Sequence, residues 1–254
     1  MPNAQPKLDQ YKALLLKWQK TINLVGPDTL PHIEQRHFDD SAQLVALLPP
    51  PREATQAEPS ATVTTPAPQP ESSTSTSTPA TPTSPPELPE SSTPSASSAH
   101  TTQSEQSDAP LNLFDIGSGA GFPGLVLAML RPDLKVHLIE SDHRKCTFLS
   151  TVSRETMTPA VIYNERIESL STEIIPDIIT ARALAPLDKL LGYALPWAIK
   201  NPALILLLLK GEKAENEITT ARQNFDFTLA ECPSRTDKAA RILRITELRL
   251  AHKN

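Results

Sequence analysis

The densest chemical signal in the chain is Asp115-Ile116-Gly117-Ser118-Gly119-Ala120-Gly121-Phe122-Pro123-Gly124, which holds four of the seven glycines. Glycine lets a backbone turn tightly and lets a ligand approach where a Cβ would collide. The residues before the stretch, Leu111 to Ile116, read as a strand, and those after it, Gly124 to Leu130, as a helix. A glycine loop that leaves a strand and opens a helix sits where open α/β sheets bind nucleotide-like cofactors, outside the carboxyl end of the strand.

Two cofactors compete for that loop. Gly119, Gly121 and Gly124 satisfy the G-x-G-x-x-G spacing of dinucleotide sites, and Glu140 follows about 20 residues later. At the end of a second strand, Glu140 is placed to accept hydrogen bonds from ribose hydroxyls. An NAD-dependent oxidoreductase on a Rossmann-like sheet is therefore one reading. A pyrophosphate, however, needs free amides at the helix N-terminus, and Pro123 has none to give. S-adenosylmethionine carries no phosphate and loses nothing there, which makes it the favoured ligand.

Other residues stand where they could serve the same site. Arg166, Arg182 and Lys210 each end or closely follow a predicted strand, so the three are expected to converge on one rim. Ile167 and Glu168 follow the third strand, where an adenine could pack on the apolar side chain. Arg235, Lys238, Arg241 and Arg244 extend the supply of cations. Asn23, Arg36, His37, Asp40 and Ser41 resemble parts of a hydrolytic triad, but they are expected to pin N-terminal helices onto the sheet. Trp18 is expected to pack. No serine stands in a nucleophile-elbow context. Cys146 and Cys232 lack CxxC or metal-ligand spacing, so free thiols and no metal are expected.

These residues need a scaffold. Leu8, Tyr11, Leu14, Leu15, Trp18 and Ile22 recur at three- and four-residue spacing, which predicts an amphipathic helix over 8–24. Short helices are expected after Asp28 or Thr29 and over 39–48. Beyond residue 110 the pattern predicts strands at 111–116, 135–139, 161–163, 177–180 and 203–209, with helices at 124–130 and 145–155. Strands at 227–230 and 242–248 close the sheet as an antiparallel pair at one edge. Alternating strands and helices imply an α/β fold with a doubly wound, mainly parallel sheet.

Composition divides the 254 residues. The tract 51–110 has 12 Pro, 25 Ser or Thr and no Gly, with Val63 and Leu88 its only large aliphatics. Such a segment cannot bury enough apolar surface to offset its ordering entropy, so a disordered insertion is expected there. Residues 1–50 then form an N-terminal helical part and 111–254 the cofactor-binding core. The chain carries a net −5, but the tract alone has seven acids and one Arg, which leaves the remainder at +1. An acidic total is thus no argument against a nucleic-acid partner. The polar start and the absence of a long apolar run imply no membrane and a cytoplasmic protein.

Taken in order, several blocks resemble one family. The motif at 115–124, with its Phe-Pro-Gly ending, is similar to motif I of the RsmG (GidB) family of class I methyltransferases. Lys17-Trp18, Lys20 and Asn23-Leu24 resemble its N-terminal signature, and Arg36-His37 with Asp40-Ser41 a second block. Ile139-Glu140-Ser141, Arg144-Lys145, Arg166-Ile167-Glu168, Thr180-Ala181-Arg182-Ala183 and Leu209-Lys210-Gly211 match the later ones. The resemblance implies transfer of a methyl group from S-adenosylmethionine to N7 of a guanine in 16S ribosomal RNA. It implies cofactor contacts at Gly117, Phe122, Ile167, Glu168 and Arg182, to which the loop residues Asp115, Gly119 and Gly121 and the strand-end Glu140 are added. It implies substrate RNA or positioning roles for Arg166, Arg182 and Lys210. The partner would be 16S ribosomal RNA or the small ribosomal subunit, with the enzyme acting as a monomer. The 51–110 tract departs from the family, which has a short connection there.

Overall fold

The computed structural model describes residues 4–51 and 109–251. The expected disordered insertion lies, but for its ends, outside the described residues. The N-terminal segment and the residues from 109 onward form one compact unit.

The chain opens with helix α1 (Gln5–Trp18), a 3-10 turn (Pro27–His32), a π-helical turn (Glu34–Asp39), the short α2 (Asp40–Ala42) and a second 3-10 turn (Gln43–Leu47). The spacing predicted a helix to residue 24, but α1 stops at Trp18. Gln19 ends it by folding back: its Oε1 accepts from the Leu24 and Val25 amides, both at 3.0 Å, and its Nε2 donates to the Val25 carbonyl at 2.9 Å. Leu24 and Val25 are thereby buried without a helix to carry them.

The sheet follows as β1 (Asn112–Ile116), α3 (Gly124–Leu130), β2 (Lys135–Ile139), α4 (His143–Glu155), β3 (Val161–Tyr163), β4 (Ile178–Arg182), α5 (Leu187–Lys200), β5 (Ile205–Lys210), α6 (Ala214–Ala221), β6 (Phe225–Pro233) and β7 (Arg241–Leu250). Its strand order is β3-β2-β1-β4-β5-β7-β6. The first five strands are parallel, while β7 runs antiparallel to both β5 and β6. The expected antiparallel pair is present, with β7 inserted between β5 and β6. An all-parallel dinucleotide sheet ordered 3-2-1-4-5-6 has no such strand.

Both faces of the sheet are covered. Successive strand residues point to opposite faces, so Leu113, Ile178 and Leu207 join one core with α1, α3 and α4. Their neighbours Phe114, Ile179 and Leu208 join the other, with α5 and α6. Burial on both faces explains why β5 is apolar up to its last residue, Lys210. Asp142 caps α4, its Oδ1 accepting from the Arg144 amide at 2.8 Å.

Candidate active site

Strand order reverses at β1: β2 and β3 lie to one side, β4 and β5 to the other. In open α/β sheets ligands bind outside the carboxyl ends of the strands at such a switch point, and the glycine loop follows directly on β1 there. The loop amides are engaged by the protein itself. Gly117 and Ser118 donate to the Ile139 carbonyl at 2.9 and 3.1 Å, and Gly121 donates to Ser118 at 2.7 Å. Gly119 donates to Glu140 Oε2 at 2.9 Å, and Gly124 to Asp115 Oδ2 at 3.1 Å. A loop whose amides are turned inward in this way is poorly furnished for a pyrophosphate. Gly121 has φ +94, and a Cβ on it would stand 2.7 Å from both Tyr11 Oη and Leu125 Cδ1. The Tyr11 hydroxyl donates to the Ala120 carbonyl, so α1 anchors the loop from outside the sheet.

Asp115 holds the loop from beneath. It is fully buried and faces Thr180 across the β1–β4 pair. Its Oδ1 accepts from the Thr180 hydroxyl at 2.8 Å while Oδ2 takes the Gly124 amide. Burial pushes its pKa up to about 6, against the pull of the Thr180 and Gly124 hydrogen bonds. Asp115 was expected among the cofactor residues; its side chain is 0 % exposed and both carboxylate oxygens are hydrogen-bonded inside the protein, holding the loop.

Phe122 is also buried, its ring stacked on Tyr11 at 5.2 Å and on His37 at 5.1 Å, with the Arg182 guanidinium 5.1 Å from its centroid. Its side chain serves this cluster, so it faces the N-terminal helices. Arg182 Nη1 donates to His37 Nδ1 at 2.7 Å and to the Arg36 carbonyl at 3.1 Å, and lies 3.8 Å from Asp40 Oδ2. A guanidinium has no acceptor, so the proton of His37 sits on Nε2 and is donated to Thr29 Oγ1 at 2.8 Å. Burial, then the charges of Arg182 and Arg36, lower the His37 pKa to about 3. Arg36 pairs with Asp237 at 2.6 Å, and Asp40 accepts from Thr236 at 2.7 Å. Arg36, His37 and Asp40 thus pin the N-terminal segment as expected, whereas Ser41 donates to the His37 carbonyl within its own segment at 2.6 Å and Asn23 is exposed. Trp18 packs on Phe148 at 5.7 Å, also as expected.

Glu140, directly after β2, lies against the loop. Besides Gly119, it accepts the Asp142 amide on Oε1 at 2.7 Å. A carboxylate offers about four acceptor sites, so two remain for hydroxyl donors. Ile167, in the 3-10 turn Ile167–Ser169 after β3, is half-buried, and Glu168 is exposed with its Oε1 accepting from Tyr193 at 2.6 Å. Arg166 is exposed beside them.

The three cations do not share one rim. Arg166 faces solvent and Arg182 the N-terminal helices, whereas Lys210 is buried. Its Nζ donates to the Ala185 carbonyl at 2.6 Å and to Glu217 Oε2 at 2.7 Å. The site also uses residues to which the sequence reading gave no site role: Tyr11, Thr180, Leu184 and Glu217. Leu184 covers Gly117 so closely that a Cβ there would lie 2.5 Å from Leu184 Cδ1. Leu184 is exposed at 40 %, and in the sequence only its apolar character two positions past Arg182 marks it. The cysteines are free thiols, as expected, and no helix among the described residues is long and apolar enough to cross a membrane.

Residues 85–241 match the family model of rRNA small subunit methyltransferase G. A ribosomal RNA small subunit methyltransferase G from Paramagnetospirillum magneticum is 37 % identical over 95 % of this chain and 88 % of its own length. Its counterpart from Parvibaculum lavamentivorans is 35 % identical over 95 % of this chain and 82 % of its own. The antiparallel β7, the inward-turned glycine loop and these relatives remove the oxidoreductase reading. The chain belongs to the rRNA small subunit methyltransferase G family, and is a class I methyltransferase that takes its methyl group from S-adenosylmethionine.

Proposed function

We propose that this enzyme methylates N7 of a guanine in 16S ribosomal RNA, with the cofactor laid across the glycine loop between Glu140 and the β4–α5 segment. The observation that supports the placement most is Glu140. Its carboxylate closes β2, is fixed by the Gly119 and Asp142 amides, and keeps acceptor capacity for the two ribose hydroxyls. Ile167 backs the adenine with its half-buried side chain. Glu168 flanks it, Gly119 gives the backbone its close approach, and Gly117 leaves room for Leu184. Asp115, Gly121 and Phe122 act through the loop that they hold.

The sulfonium supplies a methyl group already activated for displacement. The N7 lone pair forms the new bond while the carbon–sulfur pair returns to sulfur, so no proton has to move. Alignment is then the protein's main task. Arg182, fixed by His37 and Phe122 at the end of β4, positions the reacting groups at the switch point, and Arg166 offers its exposed cation to RNA phosphate. Guanine N7 lies in the deep groove of paired RNA, which side chains reach poorly. The target is accordingly an unpaired or flipped-out nucleotide. The loop, Glu140 and the β4–α5 segment all come from one chain, so a monomer in the cytoplasm suffices.

Transfer of tritiated methyl from S-adenosylmethionine to 16S ribosomal RNA, naked or in small subunits, tests the reading. Label on N7 of one guanine, lost in Arg182→Ala with the fold intact, is the expected result. Label on another atom, or full activity in that variant, would refute it.

A further inference from the structure

We infer that Lys210 and Glu217 are positioning residues that clamp the β4–α5 segment against the glycine loop, and that they serve methyl transfer through that segment and not by touching RNA. The segment, residues 183–186, is an awkward piece of chain. Ala183 has φ +50, a left-handed conformation that disfavours residues with a Cβ. Leu184 exposes an apolar side chain and presses on Gly117. Pro186 has no amide to donate. Such a conformation persists only where its surroundings enforce it.

The buried Lys210 and the half-buried Glu217 supply that enforcement from both sides of Pro186. Lys210 Nζ donates to the Ala185 carbonyl at 2.6 Å. Glu217 Oε2 accepts from Lys210 at 2.7 Å and also from the Leu187 amide at 2.9 Å, at the start of α5. One carboxylate oxygen therefore fixes the amide after the proline, and the ammonium it holds fixes the carbonyl before it. Upstream, Arg182 is fixed by His37. The intervening Ala183 and Leu184 are held against Gly117 at the switch point, where the cofactor and the acceptor base must meet. Lys210 is 7 % exposed, and its engagement inside the protein explains why it does not stand on the rim with Arg166.

The inference rests on S-adenosylmethionine being the methyl donor, and not on which base accepts the methyl group. Its test is a calorimetric titration of the full chain with S-adenosylhomocysteine, with thermal melting run alongside. Glu217→Ala is expected to weaken binding by about tenfold, as a misplaced positioning loop does. Adding Ala183→Gly should recover most of that loss, because glycine adopts the left-handed conformation without the clamp. A loss of general stability would show in the melting temperatures, so the affinities are compared well below every variant's midpoint. If Glu217→Ala does not fold, Glu217→Gln keeps an acceptor oxygen for the Leu187 amide and takes its place. Unchanged affinity, or a loss that Ala183→Gly leaves in place, would overturn the inference. So would a Lys210→Met variant that loses RNA binding while keeping cofactor affinity. A wild-type protein that fails to bind the ligand would instead strike at the cofactor assignment. The clamp would then be read from amide exchange over 183–187, which should quicken in Glu217→Ala; unchanged exchange would refute it.

Discussion

Arg182, the last residue of β4, donates to His37 Nδ1 over 2.7 Å, so the end of a central strand is held by the N-terminal helical segment. The same imidazole stacks on Phe122 of the glycine loop. The N-terminal segment is thus a structural part of the cofactor site, and a change in it should be felt in the chemistry.

His37→Phe tests that link. It keeps a ring against Phe122 but removes the acceptor for Arg182. Losing one charge-assisted hydrogen bond should cost roughly 1–3 kcal/mol of stability, and methyl transfer should fall with it. Because the His37 pKa is lowered to about 3, the imidazole stays neutral and accepting well below pH 5. The wild-type rate between pH 5 and 8 should therefore show no limb that disappears in His37→Phe. Such a limb near pH 6.5 would contradict the assignment.

Stability against pH should carry two opposing signatures. His37 and His137 have folded pKa values lowered by burial to about 3 and about 4, below the unfolded ~6.5. Their contribution is fully present above pH 6.5 and is lost as pH falls toward 4. Asp115 has its folded pKa raised to about 6, so its contribution is present below pH 3.8 and is lost as pH rises through 6. Two histidines outweigh one carboxylate, and net stability should fall from pH 6.5 to 4. Urea midpoints across that range should flatten in His137→Gln and steepen in Asp115→Asn. Parallel curves for the three proteins would show that these groups are not buried as described.

Two glycines should respond in opposite directions. Gly192 lies in α5, where an added Cβ meets nothing within 4 Å. Gly192→Ala should raise stability by roughly 0.5–1 kcal/mol. At Gly121 the left-handed backbone and the nearby Tyr11 hydroxyl both resist a Cβ. Gly121→Ala should destabilise by at least about 1–2 kcal/mol and weaken cofactor binding. Equal melting temperatures for the two variants would remove the role given to Gly121.

Much of the scaffold was legible in the residues. The elements at Gly124–Leu130, Lys135–Ile139 and Val161–Tyr163 fall where the pattern put them, because glycine, proline and charged residues punctuate them sharply. Helix α5 went unmarked, since Gly192 and Pro196 interrupt its apolar face and local propensity hides a helix that packing stabilises. Helix α6 is short, and overlooking it also concealed Glu217, the partner of Lys210. The sequence located Asp115 and Lys210 at strand ends but not the direction of their side chains. A strand alternates faces, and in these two cases the inward face won because Thr180, Gly124, Ala185 and Glu217 wait there with hydrogen bonds. Tyr11 passed as ordinary helix packing, because nothing local to α1 shows that its hydroxyl reaches Ala120.

The central claim is that the glycine loop and Glu140 together cradle the methyl donor. Calorimetric titration of wild type and Glu140→Ala with S-adenosylmethionine, and of wild type with NADH, tests it most directly. One S-adenosylmethionine per chain, no heat with NADH, and at least tenfold weaker binding in the variant, about 1.4 kcal/mol or more, are expected. Equal affinities for wild type and variant would contradict the role of Glu140, and binding of NADH alone would contradict the cofactor.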